Sequence, residues 1–229
     1  MNLNDKTGSD KLDAARQSLQ LFQESWARWH DPTLIAKALE QYDEFGAEQF
    51  MRVLFYVACQ EADWQLADAC CQLGFLEMMR ASHLKSAFFD AMFMGDRDDV
   101  VQWLMERGED AEVRNLEGRT PLLEAVYQGF VAVVEVLASG GADLEASCGR
   151  DGETPLAMAA AFGKTSIAEV LLRTGADPLH ANAHGVLPEA IAQSYGHLSI
   201  AEMIRGKAPQ QMLNVRRVGK QRKKKGRSE

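Results

Sequence analysis

The chain has 229 residues, which suits one or two compact domains or one elongated array of repeats. Hydrophobic residues make up 46% of it and charged residues 25%, and these ordinary fractions exclude a wholly disordered chain. No apolar stretch approaches the roughly 20 residues that a membrane-spanning helix needs, and residues 1–11 lack the apolar core of a secretory signal. We therefore expect no membrane span and no secretory leader in this sequence.

The charge is divided unevenly along the chain, whose formal net charge is −8. Residues 1–215 hold 17 basic and 32 acidic groups, a net charge of −15, whereas residues 216–229 hold eight basic groups and one acidic group, a net charge of +7. The sequence therefore describes an acidic body followed by a basic tail. The basic residues of this tail are Arg216, Arg217, Lys220, Arg222, Lys223, Lys224, Lys225 and Arg227.

The cysteines indicate a reducing compartment. Four cysteines are too few for a disulfide scaffold, and none stands in a Cys-x-x-Cys pair. Two of them, Cys59 and Cys70, fall in apolar runs with helical spacing. We therefore expect a cytoplasmic protein, with nuclear import through the basic tail and export as an effector as open alternatives.

The first 50 residues predict helices that precede any repeat. Residues 1–9 are polar and are expected to be disordered, and residues 10–50 contain two runs of apolar residues at helical spacing. The apolar positions are Leu12, Ala15, Leu19, Leu21, Phe22 and Trp26 in the first run, and Leu34, Ile35, Ala38 and Leu39 after Asp31-Pro32 in the second. We interpret residues 10–50 as an N-terminal helical cap, with a dimerisation element or a separate partner site as the alternatives.

Three kinds of landmark then recur with a period of 33 or 34 residues. Gly-Arg-Thr-Pro-Leu ends at Leu122, and Gly-Glu-Thr-Pro-Leu ends at Leu156. The tripeptide Gly-Ala-Asp begins at Gly141 and again at Gly175. Single glycines follow the same period at Gly129, Gly163 and Gly196. A shared period in independent landmarks indicates a repeat protein.

One repeat can be interpreted as a pair of short helices. Thr120 is suited to cap the first helix, Pro121 to occupy its first position, and Gly129 to end it in a left-handed conformation. A second helix is predicted over about residues 131–139, and Gly140-Gly141 ends it. Because neither helix is long enough to be stable alone, stacking of neighbouring repeats must supply the core.

At these residues the chain resembles the ankyrin repeat family, whose unit is a β-turn followed by two antiparallel helices. The resemblance is specific over 118–177, continues through 185–204, and is weaker over 86–108 and 53–74. It implies an all-α ankyrin solenoid over 51–205, with three clear repeats, two degenerate repeats and β-turn fingers, followed by a basic disordered tail over 206–229. It also implies a protein-binding module, such as an adaptor, and not an enzyme.

The sequence offers no constellation that supports catalysis. Asp90 and Glu124 stand one repeat apart, but an open repeat surface lacks the water-excluding cleft that a catalytic carboxylate pair needs. Cys148, His180 and His184 lie on successive turns and supply only three ligands for a metal. We therefore predict no metal, no cofactor and no small-molecule substrate.

The family resemblance places the partner-binding surface on the first helix of each repeat, which lines a concave groove in ankyrin proteins. The positions predicted to point into that groove are Asp90, Phe93, Met94, Glu124, Tyr127, Gln128, Met158, Phe162 and Tyr195. Arg114 and Arg150 lie at the turn tips, which form a second candidate surface. Aromatic side chains and methionine are enriched in interface cores, so these positions predict recruitment or blocking of a partner protein. The alternative is that they fold onto neighbouring repeats.

The basic tail leaves a second function open, that of a nucleic-acid-associated or nuclear-targeted factor. No aromatic residue interleaves with its basic ones, so nucleic-acid contact by the tail would be weak, phosphate-driven and non-specific. A contact with an anionic membrane and a solvated tail attracted to the acidic body are the other two interpretations.

Overall fold

The computed structural model describes residues 31–41, 44–81 and 86–208. The predicted disordered segment 1–9, the first predicted helix and residues 209–229 of the predicted tail lie outside the described residues. Gly206 and Lys207, which the sequence assigns to the disordered tail, are helical instead. The chain divides into two compact units, Met1–His83 and Leu84–Glu229. Among the described residues there is no strand, and no helix is long and apolar enough to cross a membrane.

The described part of the first unit consists of four helices. They are α1 (Pro32–Leu39), α2 (Glu44–Gln60), α3 (Trp64–Gln72) and α4 (Phe75–Ala81). As predicted from the Asp31-Pro32 pair, α1 begins after Asp31, whose Oδ1 accepts a hydrogen bond of 2.9 Å from the backbone N–H of Thr33. The predicted boundary between cap and array, at residues 50 and 51, falls inside α2. The assignment of residues 53–74 to a degenerate repeat stays a prediction.

The first unit has its own core, in which α2 packs against α3 and α4 and α1 packs against α3. Phe55 of α2 stacks on Phe75 of α4 with 4.6 Å between ring centres, and Ile35 of α1 is fully buried. Cys59 and Cys70 are buried as well, and burial raises the pKa of the Cys70 thiol to about 12. These two cysteines act as small apolar side chains of the core.

The described part of the second unit, residues 86–208, stacks eight helices in two layers. The first layer holds α5 (Ala87–Met92), α7 (Pro121–Gln128), α9 (Pro155–Phe162) and α11 (Pro188–Ser194). The second layer holds α6 (Asp98–Glu106), α8 (Val131–Ser139), α10 (Thr165–Thr174) and α12 (Leu198–Lys207). Each helix packs against its partner in the other layer and against the next helix of its own layer.

The repeat landmarks fix the helix ends as the sequence predicts. Thr120 Oγ1 accepts a hydrogen bond from Leu123 N at 3.4 Å, and Thr154 Oγ1 accepts one from Ala157 N at 3.3 Å. Gly129 ends α7 with a left-handed φ of 93°. The second helix of this repeat runs over the residues that the apolar spacing predicts.

Three turn segments, here called fingers, connect successive helix pairs of the second unit: finger 1 (107–120), finger 2 (140–154) and finger 3 (175–187). Backbone hydrogen bonds close their tips, for example from Asn115 N to Arg119 O at 3.0 Å. Hydrogen bonds from backbone N–H groups to glutamate side chains also join each finger to the next. Glu112 Oε1 accepts from Asp143 N at 2.8 Å, and Glu145 Oε1 accepts from Asp177 N at 2.7 Å. These bonds hold the fingers in register with the helices.

Candidate functional site

Four exposed aromatic side chains mark the first layer of the second unit. Phe93, Tyr127, Phe162 and Tyr195 are 75%, 46%, 51% and 65% exposed. Each lies one or two residues before a glycine with positive φ, at the C-terminal end of α5, α7, α9 or α11. We call these four residues the aromatic stripe. The outward orientation predicted for them is confirmed.

Contacts between neighbouring repeats order the middle of the stripe. The rings of Tyr127 and Phe162 meet edge to face, with 5.8 Å between their centres and 76° between their planes. The guanidinium carbon of Arg119, from finger 1, lies 4.4 Å from the centre of the Tyr127 ring. Because both geometries are favourable for aromatic rings, Tyr127 is held from two sides.

Glu124 lies beside the stripe but does not point away from the array. Its side chain is buried, and Oε2 accepts hydrogen bonds from Arg119 Nε at 2.6 Å and from Asn115 Nδ2 at 3.2 Å. Oε1 accepts from Gln128 Nε2 at 2.8 Å. The prediction that Glu124 points outward is therefore wrong, and its role in partner binding stays a prediction. A carboxylate that is mostly buried needs partners, and here its pairing with Arg119 holds the guanidinium against Tyr127.

Met158 is also misplaced by the sequence prediction. It is only 3% exposed, and the first six residues of α9 are all buried. The reason is that α9 packs against α7 and α11 within its layer and against α10 in the other layer. Phe162 is the only residue of α9 that is classed as exposed. Asp90 and Met94 are half-buried, and Gln128 is exposed as predicted.

A pocket of about 260 Å³ opens at one end of the stripe, between α5, α7 and finger 1. Its lining residues are Phe89, Met92, Phe93, Asn115, Leu116, Glu117, Arg119, Glu124 and Gln128. Leu116, which is 78% exposed at the tip of finger 1, is not among the residues predicted from the sequence. The signal available for it is an isolated large apolar residue in an otherwise polar turn.

The comparison with known families agrees with this geometry. Residues 88–182 match the family model of ankyrin repeats, in three copies. This segment is an ankyrin-repeat array. The match runs from α5 to finger 3, and α11 and α12 continue the same two layers beyond it. The second unit is thus an all-α ankyrin solenoid, as the sequence predicts. No curated protein matches the chain.

The finger tips of the ankyrin array hold the two arginines that were predicted to contact a partner. Arg114 is exposed, but its Nη1 donates to the carbonyl oxygens of Gly118 at 2.7 Å and Ser147 at 2.9 Å. It therefore links fingers 1 and 2. Arg150 is exposed at the tip of finger 2. Their role in partner binding stays a prediction.

The finger histidines pair with carboxylates of the preceding finger. His180 Nδ1 lies 3.3 Å from Glu145 Oε2, and His184 Nε2 lies 2.7 Å from Asp151 Oδ1. Burial raises the pKa of Glu145, although the backbone N–H of Asp177 counteracts this. Within residues 31–41, 44–81 and 86–208, no group of three or more His, Cys, Asp or Glu side chains could hold a metal ion.

Proposed function

We propose that the ankyrin array binds a partner protein through the aromatic stripe and the adjoining pocket, and that this binding recruits the partner or blocks one of its surfaces. Ankyrin repeats are generally protein-interaction modules and are typically non-enzymatic. The observation that carries the proposal is the stripe itself, in which four consecutive first-layer helices each expose an aromatic ring at the same end. Large exposed apolar groups in one row are a common mark of interaction sites.

The stripe supplies the kind of residue from which interfaces draw most of their binding energy. Aromatic anchors, surrounded by contacts that exclude water, dominate alanine scans of interfaces. Here Tyr127 is held by Arg119 and Phe162, so less side-chain freedom is lost when a partner covers it. The pocket next to Phe93 has the size for one inserted side chain of a partner.

The test is a comparison of captured proteins. Wild-type protein, the Tyr127→Ala variant and the Phe162→Ala variant are immobilised in equal amounts and exposed to the same cell extract. Leu198→Ala serves as the matched control, since Leu198 is 63% exposed but belongs to the second layer. We expect at least one protein that the wild type and the control retain and that both stripe variants lose. If all four baits capture the same proteins in the same amounts, the stripe is not the binding surface.

A further inference from the structure

The charge around the aromatic stripe indicates what kind of protein segment would bind there, and this inference rests on the proposed function. We infer that the stripe and its pocket bind a segment of a partner protein in which lysine or arginine side chains alternate with apolar ones. The first support is the overall charge of the array. Residues 86–208 contain 19 acidic and nine basic residues, a net charge of −10. A surface with this excess of one sign attracts cationic segments and repels anionic ones.

The second support is the composition of the pocket. Phe89, Met92 and Leu116 provide apolar walls, against which the methylene stem of a lysine or arginine packs well. The polar part of the lining holds the carboxylates of Glu117 and Glu124 and the single guanidinium of Arg119. The pocket lining therefore carries a net charge of −1.

The third support is the distribution of these charges within the pocket. Arg119 and Glu124 satisfy one another, with 2.6 Å between Nε and Oε2, and both side chains are mostly buried. Glu117 is 57% exposed, and its carboxylate is 4.0 Å from Arg119 Nη2. Glu117 is thus the carboxylate that an incoming cation reaches first, because Glu124 is mostly buried and already forms an ion pair with Arg119.

The fourth support comes from the rings of the stripe. The face of an aromatic ring attracts a cation within about 6 Å, and arginine does so most often. Arg119 already shows this contact on Tyr127. The two most exposed rings, Phe93 and Tyr195, stand at opposite ends of the stripe and leave most of their surface to solvent. Aromatic rings beside a carboxylate form the combination that recognises guanidinium and ammonium groups.

The test selects ligands without assuming their charge. A library of short random peptides displayed on phage is selected on the full-length protein, and binders that the Tyr127→Ala variant retains are discarded. The Leu198→Ala variant must keep the remaining peptides. We expect these peptides to have a net positive charge and to interleave arginine or lysine with apolar residues. Replacing their basic residues with glutamine should weaken binding about tenfold or more.

A second readout assigns the contact to the pocket. Glu117→Gln, which keeps the shape of the side chain and removes its charge, should weaken the selected peptides about threefold or more. Glu169→Gln is the matched control, because Glu169 is an exposed acid on α10 of the second layer. Equal loss in both variants would mean that only the long-range charge matters, and it would overturn the assignment to the pocket.

The remaining outcomes separate this inference from the proposed function. Stripe-dependent peptides that are neutral or acidic would overturn the inference and leave the proposed function in place. Absence of any stripe-dependent peptide would contradict both. Binding that appears only after residues 209–229 are removed would make the chain's own basic segment the occupant of the stripe. Stripe-dependent self-association of the protein alone would make a second copy the occupant. Either result would overturn the inference that a cationic segment of a partner protein occupies the stripe.

Discussion

The ring of Tyr127 meets the ring of Phe162 edge to face, with 5.8 Å between the two centres. Tyr127 lies near the C-terminal end of the first helix of one repeat, and Phe162 ends the first helix of the next, so this contact joins α7 to α9 at the exposed end of the first layer. Two rings of the exposed aromatic stripe therefore also pack against each other. The same rings that would meet a partner stabilise the register of two repeats.

This contact predicts an energetic coupling between the two side chains. The variants Tyr127→Ala and Phe162→Ala and the double variant are unfolded with urea, and the free energies of unfolding are compared in a double-mutant cycle. We expect a coupling of about 0.5 kcal/mol or more, because aromatic pairs of this geometry contribute about 0.5–1.5 kcal/mol beyond their buried area. Strict additivity of the two single effects would show that the rings do not interact in solution.

The second prediction concerns close packing between helices. Ala159 is fully buried in α9, which packs against α7, α10 and α11. We expect Ala159→Leu to lower the free energy of unfolding by about 1–3 kcal/mol through overpacking. Ala190→Leu is the control, since Ala190 is exposed on α11 and its replacement should stay within about 0.5 kcal/mol. An unchanged urea midpoint for Ala159→Leu would remove Ala159 from the core.

The third prediction uses two glycines with the same φ angle. Gly163 and Gly185 both have φ of 70°, a left-handed value that costs about 1–2 kcal/mol for other residues. A Cβ at Gly163 would also lie 2.6 Å from Cε1 of His197, whereas a Cβ at Gly185 would have no neighbour within 4 Å. Gly163→Ala should therefore destabilise the protein more than Gly185→Ala, as measured by urea unfolding.

The excess cost of Gly163→Ala should come from His197 alone. If so, the excess disappears when Gly163→Ala is combined with His197→Ala. An excess that persists without the imidazole ring would place the strain in the backbone.

Much of the fold follows from the sequence because helix ends have local causes. The hydroxyl of Thr120 can cap the start of a helix, and Gly129 can adopt the left-handed conformation that ends one. These two residues therefore predict the bounds of α7. The spacing of apolar residues predicts α8 in the same way. These signals need no knowledge of what the helix packs against.

Which side chains of the array are exposed is harder to predict, because exposure depends on the helices and fingers that pack around each residue. Met158 is buried because helices flank α9 on three sides, and the apolar sequence of α9 does not distinguish one face from another. Glu124 is buried because Arg119 and Asn115 contact it from finger 1. These two residues precede it by five and nine positions and lie outside its helix, so helical periodicity does not predict the contacts. The four stripe residues are predictable because the helix end itself exposes them.

The fourth prediction concerns the pH dependence of stability. Burial raises the pKa of Glu145 in the folded protein, and the acidic neighbours Asp143 and Asp177 act in the same direction, against the effect of His180. The proton is therefore bound more tightly in the folded chain than in the unfolded one. The stabilisation from this proton is complete below the unfolded pKa, about 4.3, and is lost as the pH rises through the higher folded pKa.

The variant Glu145→Gln removes this titration and keeps an oxygen that can accept the N–H of Asp177. We expect its free energy of unfolding, relative to the wild type, to rise between about pH 4 and about pH 7. Glu169→Gln is the matched control, because it removes one exposed carboxylate of the same array. A relative stability of Glu145→Gln that falls as the pH rises would show that the carboxylate gains more from the N–H of Asp177 and from His180 than it loses by burial.

The central claim is that the aromatic stripe, and not the finger tips, binds the partner. The most direct measurement is calorimetric titration of one stripe-selected peptide into wild-type protein and into the variants Tyr127→Ala, Phe162→Ala, Leu198→Ala and Arg150→Ala, each with its urea midpoint. We predict that the two stripe variants weaken binding about tenfold or more, about 1.4 kcal/mol, while both stay folded and lose no more than about 1.5 kcal/mol of stability. Leu198→Ala should bind as the wild type does, and Arg150→Ala should change binding less and mainly at low salt. Dominant loss in Arg150→Ala with neutral stripe variants would contradict the claim and move the site to the finger tips.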